Sequence, residues 1–189
     1  MKLRCVFFSL LPAIMYLSAP NAWAESSEQS DWKEIVRQRL PLYGHRNWIV
    51  IADSAYPDQS REGIETVVSD AGQIEVLKYV LDAVSNSRHV TPTVYTDQEL
   101  SFVPERDAPG ISSYRDSLSS LLKSYRVNVM PHEQIIAKLD EVSRTFRVLI
   151  IKTNLTVPYT SVFLQLDCAY WPADAETRLR AAMASAAKK

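Results

Sequence analysis

"YGHRNWIVIADSAYP", Tyr43 to Pro57, is the stretch on which the reading of this chain turns. Its middle, Trp48 to Ala52, is apolar without alternation, the pattern of a strand covered on both faces in a mostly parallel sheet. Such a run needs no chemistry, yet it stands between His45 and Asp53, two side chains that can exchange protons or hold hydroxyls. Ligands of open α/β sheets collect at the carboxyl ends of strands, which makes Asp53 a site candidate. Eight residues of extended strand span roughly 26 Å. His45 and Asp53 of one chain therefore meet only if the loop before Trp48 folds back, or if another subunit supplies one of them.

Outward from this strand, helical and strand patterns alternate. Trp32 to Leu40 has helical apolar spacing with Asp31 as N-cap, and Pro41 stops it. "GIETVVSD" predicts a second strand, and Gln73 to Val84 a helix with apolar positions 74, 76, 77, 80, 81 and 84. "HVTPTVYT" reads as a strand, although Pro92 predicts an edge position or an early break. "LSFVPERDAPG" is a loop, Ser112 to Lys123 a helix and "YRVNVM" a strand. Pro131 stands where a helix can begin, followed by "HEQIIAKLDEV". "FRVLIIKT" and "SVFLQL" are the last strands, and 173–189 a helical tail with few large apolar residues. The order predicts one α/β domain over 32–172, a mostly parallel sheet covered by helices.

The first 24 residues read differently. Lys2 and Arg4, an apolar run from Cys5 to Leu17 and Ala22-Trp23-Ala24 form the n-region, h-region and cleavage site of a secretory signal peptide. A polar leader follows at 25–31, and the expected location is periplasmic or secreted. Cleavage would remove two of the 21 basic residues and none of the 22 acidic ones, leaving a mildly acidic chain. That charge provides no footprint for nucleic acid or for an anionic membrane. The mature chain would keep one cysteine, Cys168, which cannot form an intramolecular disulfide and reads as a small buried hydrophobe. No phosphate-cradling glycine motif occurs, and no His or Cys spacing suits a metal.

The chain has three histidines. His89, in "NSRHV", reads as structural, at a helix end where basic side chains are common. His132, in "MPHEQ", falls in the first turn of a helix, where a neutral imidazole can donate to a ligand or simply face solvent near the helix end. "KTNLTVPYTS" places Tyr159, Thr160 and Ser161 in a loop rich in hydroxyls and amides between two strands. Such a loop suits a polyhydroxylated ligand, whose hydroxyls each want a donor and an acceptor, and equally an ordinary polar turn. Asn154-Leu155-Thr156 matches a glycosylation sequon, a pattern common by chance.

Together these segments resemble the RbsD/FucU family of sugar mutarotases, the D-ribose pyranases and L-fucose mutarotases. The family's opening motif, Gly-His, an apolar strand, Asp-Ala and a nearby Pro, is matched by Gly44-His45 and by Ala52-Asp53-Ser54-Ala55-Tyr56-Pro57. A His-Glu pair at a helix start is matched by His132-Glu133. The closing motif R-T-G-E-x-T-P-Y-A-N is matched by Lys152 to Ser161, with the Thr153-to-Tyr159 spacing kept. Here Asn154-Leu155 replaces the family's Gly-Glu, and Ser161 its final Asn.

The resemblance implies an RbsD-like fold, His45 as the catalytic acid/base, Asp53 and His132 as substrate-binding residues, and Tyr159, Thr160 and Ser161 as the tripeptide that holds a monosaccharide. It implies anomer or ring-form exchange through the open-chain sugar, without a cofactor or metal. It also implies closed homo-oligomers, decameric rings in typical members, with sites between subunits. A carbohydrate-binding protein that keeps the fold without catalysis, or an enzyme using the pocket for another small polar ligand, are the other readings that these residues allow.

Overall fold

The computed structural model describes residues 31–187. The expected signal peptide, 1–24, and the leader up to residue 30 lie outside the described residues, as do Lys188 and Lys189. Among the described residues one sheet of six strands runs in the order β2-β5-β1-β6-β3-β4. The strands are β1 (Trp48–Ala52), β2 (Ile64–Val68), β3 (Val90–Asp97), β4 (Val127–Met130), β5 (Val148–Lys152) and β6 (Val162–Cys168). Helices are α1 (Trp32–Arg39), α2 (Gln73–Ser85), α3 (Ile111–Leu121), α4 (His132–Val142) and α5 (Ala173–Ala186). The β1–β5, β2–β5 and β3–β4 pairs are parallel, and only β6 opposes both its neighbours, β1 and β3. The sheet is mostly parallel, as the alternation of strands and helices implies.

Period-two alternation divides the core between the two faces. Ile49 and Ile51 of β1, Leu149 and Ile151 of β5, and Leu164 of β6 pack beneath α1, α2 and α3. Trp48, Val50, Val148, Ile150 and Phe163 face the other way, onto Ile135 and Leu139 of α4. All five β1 side chains are buried because both faces are covered. Each such aliphatic contributes roughly 1.5–3 kcal/mol relative to exposure. α4 carries the chain from the edge strand β4 across this second face to β5, so its first residue lies beside the carboxyl ends of the parallel strands.

Local chemistry sets the boundaries. Asp31 accepts from the backbone N–H groups of Lys33 and Glu34, both at 3.2 Å, a cap worth about 1 kcal/mol. Pro41 converts the end of α1 to one 3-10 turn, Leu40–Leu42. Pro92 does not end its strand. β4 pairs only from Val94 onward, so Pro92 has no neighbour on that side. Its partner Leu166 turns its own N–H toward Asn47, so the missing proline donor leaves no acceptor of β6 unmet. Cys168 is free and only half-buried at the end of β6, less enclosed than a small core residue would be. α5 has no buried residue, in keeping with the sparse apolar content of the tail.

Candidate functional site

Polar side chains converge at the carboxyl ends of the parallel strands. Asp53 follows β1, and its Oδ1 accepts from the Ala55 N–H at 3.0 Å. Its Oδ2 accepts from the Ser161 hydroxyl at 3.2 Å. Ser161 is 1% exposed, so its hydroxyl holds the carboxylate and does not stand open to a ligand. Thr160 is wholly buried. Its hydroxyl donates to the Val157 carbonyl at 2.7 Å, and its own carbonyl accepts from Gln73 at 2.8 Å and from the Tyr114 hydroxyl at 2.6 Å. Of the tripeptide expected to hold a sugar, the structure thus places two side chains within the fold and leaves Tyr159 at the surface.

Tyr159 is 39% exposed and has φ +57°, a left-handed conformation that is rare for a bulky side chain and costs about 1 kcal/mol or more. That backbone sets its ring edge-on to His132, with centroids 5.6 Å apart and planes at 82°. His132 opens α4. Its backbone N–H, one of the free donors of a helix start, points at both carboxylate oxygens of Glu99, 3.0 and 3.1 Å away. Glu99 therefore caps α4 from the 3-10 turn Gln98–Ser101, a role that sequence spacing does not reveal.

Behind His132 lies Asp97, the last residue of β3. His132 Nδ1 stands 3.1 Å from Asp97 Oδ2, while the Asp97 side chain is 0% exposed. The approach is oblique, and neither Asp97 oxygen nor Nδ1 has a well-directed hydrogen bond to any described group. Burial pushes the Asp97 carboxyl up to about 6; the His132 ring pulls the other way, and the charges of Glu99 and Asp53 add to the rise. Tyr56, buried beside these acids, has its phenol raised chiefly by burial and then by the Asp97 charge, so it stays neutral. Asp97 escapes a search by motif. The rule that singled out Asp53, an acid at the carboxyl end of a strand, applies to "VYTD" as well, but Pro92 and three threonines veil that strand's character.

A second missed residue is Gln73, the first of α2 and 3% exposed. It donates to the Ile51 carbonyl at 3.0 Å and to Thr160, and it accepts from Thr153 at 2.6 Å. One amide thus joins β1, the end of β5 and the loop before β6. A cleft of about 510 Å³ opens beside Tyr159, lined by Glu99, Phe102, Val103, Pro104 and Pro158. A larger groove of about 1090 Å³ lies elsewhere, between the loop before β2 and the end of α4. Two of its guanidinium groups are already engaged, Arg61 with Asp140 at 2.6 Å and Arg147 with the Glu62 carbonyl at 2.8 Å.

His45 is at the other end of β1. It is exposed, in a turn where the Asn47 N–H donates to the Gly44 carbonyl and Arg46 takes φ +75°. The Arg46 N–H donates to Leu166, which fixes this turn to β6 and away from Asp53. The loop does not fold back, so one chain does not bring His45 to Asp53. His89 is half-buried, its Nε2 3.2 Å from the Leu40 carbonyl and 3.0 Å from that of Tyr43. It ties down the segment leading into the turn.

No protein-family model matches the sequence, and no curated protein matches it either. Solved structures do. RbsD of Bacillus subtilis complexed with D-ribose is 18% identical, with 70% of this chain and 91% of that chain covered and a TM-score of 0.51. FucU of Bifidobacterium longum is also 18% identical, covering 71% of this chain and 94% of that one, with a TM-score of 0.50. The fucose mutarotase of Streptococcus pneumoniae in complex with L-fucose, 20% identical, covers 69% and 89% at a TM-score of 0.46. The first two establish the fold: this is the α/β architecture of RbsD and FucU.

Proposed function

We propose that this chain is an exported sugar mutarotase or pyranase, which interconverts anomers or ring forms of a monosaccharide by histidine-assisted ring opening. The observation that carries the reading is the gathering of Asp53, Asp97, His132 and Tyr159 at the carboxyl ends of the strands of an RbsD-like sheet. The half-buried Asp53 carboxylate and the imidazole backed by Asp97 offer an acceptor and a donor to sugar hydroxyls, and an exposed tyrosine ring offers a face to the sugar's C–H groups. Export rests on the pattern of residues 1–24.

Ring opening removes a proton from the anomeric hydroxyl and delivers one to the ring oxygen; closure reverses both after the carbonyl has rotated. An imidazole serves either direction at neutral pH, and such assistance is worth roughly 10²–10⁴-fold. His45 is assigned that role by motif. Since it lies at the far end of β1, it serves a site in a neighbouring copy, within a closed homo-oligomer whose sites lie between subunits.

Saturation-transfer NMR on ribose, fucose, galactose and glucose tests the reading. Accelerated exchange of at least one sugar, lost in His45→Ala, is the expected result; oligomeric protein that accelerates none sinks it. A second reading, carbohydrate binding without catalysis, draws on Ser161, whose hydroxyl is buried on Asp53 where the family's motif has a longer amide. It expects sugar-induced thermal stabilisation that survives His45→Ala, with no exchange.

A further inference from the structure

We infer that His132, with Asp97 behind it, is the general base of ring opening, taking the anomeric proton while His45 of a neighbouring copy protonates the ring oxygen. This rests on the mutarotase reading and divides its two proton transfers between two named groups.

Asp97 does nothing for the fold that an apolar residue could not do better. Its side chain is fully enclosed at the end of β3, and neither oxygen has a well-directed partner. An enclosed carboxylate in that state weakens the protein that contains it. What the carboxylate does face is Nδ1 of His132, at 3.1 Å, and that nitrogen is itself shut off from solvent. The His132 side chain is 29% exposed although Nδ1 is shut off, so Nε2 is the nitrogen left to a ligand.

Three contacts orient the imidazole. Asp97 stands behind Nδ1, Glu99 receives the backbone N–H, and the Tyr159 ring meets the imidazole edge-on. The side chains that make them come from β3, the turn after it and the loop before β6. A carboxylate opposite Nδ1 favours the tautomer with its proton there and leaves the Nε2 lone pair free. The anomeric O–H proton then passes to Nε2. The C1–O1 bond becomes a carbonyl as the bond from C1 to the ring oxygen breaks, its electron pair leaving on that oxygen. A proton from His45 neutralises it, and ring closure returns both protons. Asp97 is a positioning residue here, since it acts on the sugar only through the imidazole.

The groups facing His132 that bear on its pH dependence are Asp97 and Glu99 from β3 and its following turn, Asp53 after β1, and Tyr159. Tyr56 and Tyr114 lie nearby as neutral phenols, and Glu133 is the next residue of α4. The Asp97 carboxyl titrates at about 6. As pH falls through that range the carboxylate loses the charge that favours a proton on the nearby Nδ1, so exchange carries an acid limb belonging to the pair.

The experiment combines exchange rates with the imidazole tautomer. Two-bond proton–nitrogen correlation on histidine-labelled full-length protein should show His132 in the Nδ1–H form, moving toward the Nε2–H form in Asp97→Ala. Exchange in that variant should fall by about 10²-fold and its acid limb should shift, with sugar affinity within a few-fold of wild type. Asp97→Asn, which keeps the volume, repeats the measurement if the alanine variant does not fold. Wild type in the Nε2–H form overturns the inference without any variant. So does an Asp97 variant that exchanges sugar within threefold of wild type along an unchanged pH profile. Wild type that exchanges no sugar brings down the mutarotase reading itself, a result told apart from these because it appears before any substitution.

Discussion

The two ends of β1 differ more than five residues of strand would suggest. At the carboxyl end Asp53 joins a set of side chains drawn from four strand ends, and its contact with Ser161 spans 108 residues of sequence. At the amino end His45 stands on an exposed turn held by local and backbone bonds, with Asn47 Oδ1 accepting from the Gly44 N–H at 2.8 Å. Each end has one non-glycine residue in the left-handed region, Tyr159 and Arg46. The difference is one of completeness. A parallel sheet gathers chemistry at its carboxyl ends within one chain. The histidine displayed at the other end meets none of that set within its own chain.

The largest expected effect breaks the contrast at its amino end. His45→Ala should leave the melting temperature nearly unchanged, because an exposed side chain contributes within about 0.5 kcal/mol. Sugar exchange should fall by roughly 10²–10⁴-fold. A variant that loses both together would make His45 a structural residue. Next in size is Gly63, also at this end, beside the close of α4. A Cβ there would run into the Ser143 carbonyl oxygen, a backbone atom that cannot swing aside. Gly63→Ala should cost about 2–3 kcal/mol and lower the melting temperature by about 5–10 °C, read by calorimetry.

At the carboxyl end, Asp97→Asn sharpens the contrast through pH. The folded carboxyl titrates at about 6, above the unfolded value of about 3.9. The native state therefore binds this proton more tightly. Its contribution to stability is whole below pH 4 and is lost as pH rises through about 6. Removing the acid should flatten the stability curve between pH 4 and 7 and raise stability at pH 8 by on the order of 2 kcal/mol. Denaturant melts across that range check it; identical curves for the two proteins would mean that Asp97 is not strained by its burial. The smallest effect belongs to Arg46→Gly. Relief of the left-handed backbone, about 1 kcal/mol, is offset by loss of the guanidinium over the Phe146 ring, 5.7 Å away, and by the greater freedom of unfolded glycine. Stability should stay within about 0.5 kcal/mol and exchange should persist, which separates His45 from the turn that presents it.

Much of the fold was legible because burial dictates it. "WIVIA" is β1 residue for residue, and the apolar spacing from Gln73 marks α2. The site was legible only in part. Asp53 yields to a rule about strand ends, and the same rule reaches Asp97 once "HVTPTVYT" is accepted as a strand that tolerates a proline. Gln73 could not be found that way, since its partners lie 22 to 87 residues off and a glutamine opening a helix is unremarked by any pattern. Nor could the sequence tell that Thr160 and Ser161 turn inward, because a hydroxyl suits a ligand and a buried carboxylate equally. His45 was visible as a residue, but nothing in the sequence says that its turn, pinned to β6 through the Arg46 N–H, keeps it at the end of β1 away from Asp53.

Co-expression of His45→Ala and His132→Gln subunits under separate tags tests the central claim most directly. Each homo-oligomer alone should fail to accelerate anomer exchange. Mixed oligomers, isolated through both tags, should regain about a quarter of the wild-type rate, because about one site in four then draws both intact histidines from its two subunits. Mixed oligomers as inactive as their parents, or a His45→Ala protein that exchanges sugar as wild type does, would contradict a pocket completed across the subunit boundary.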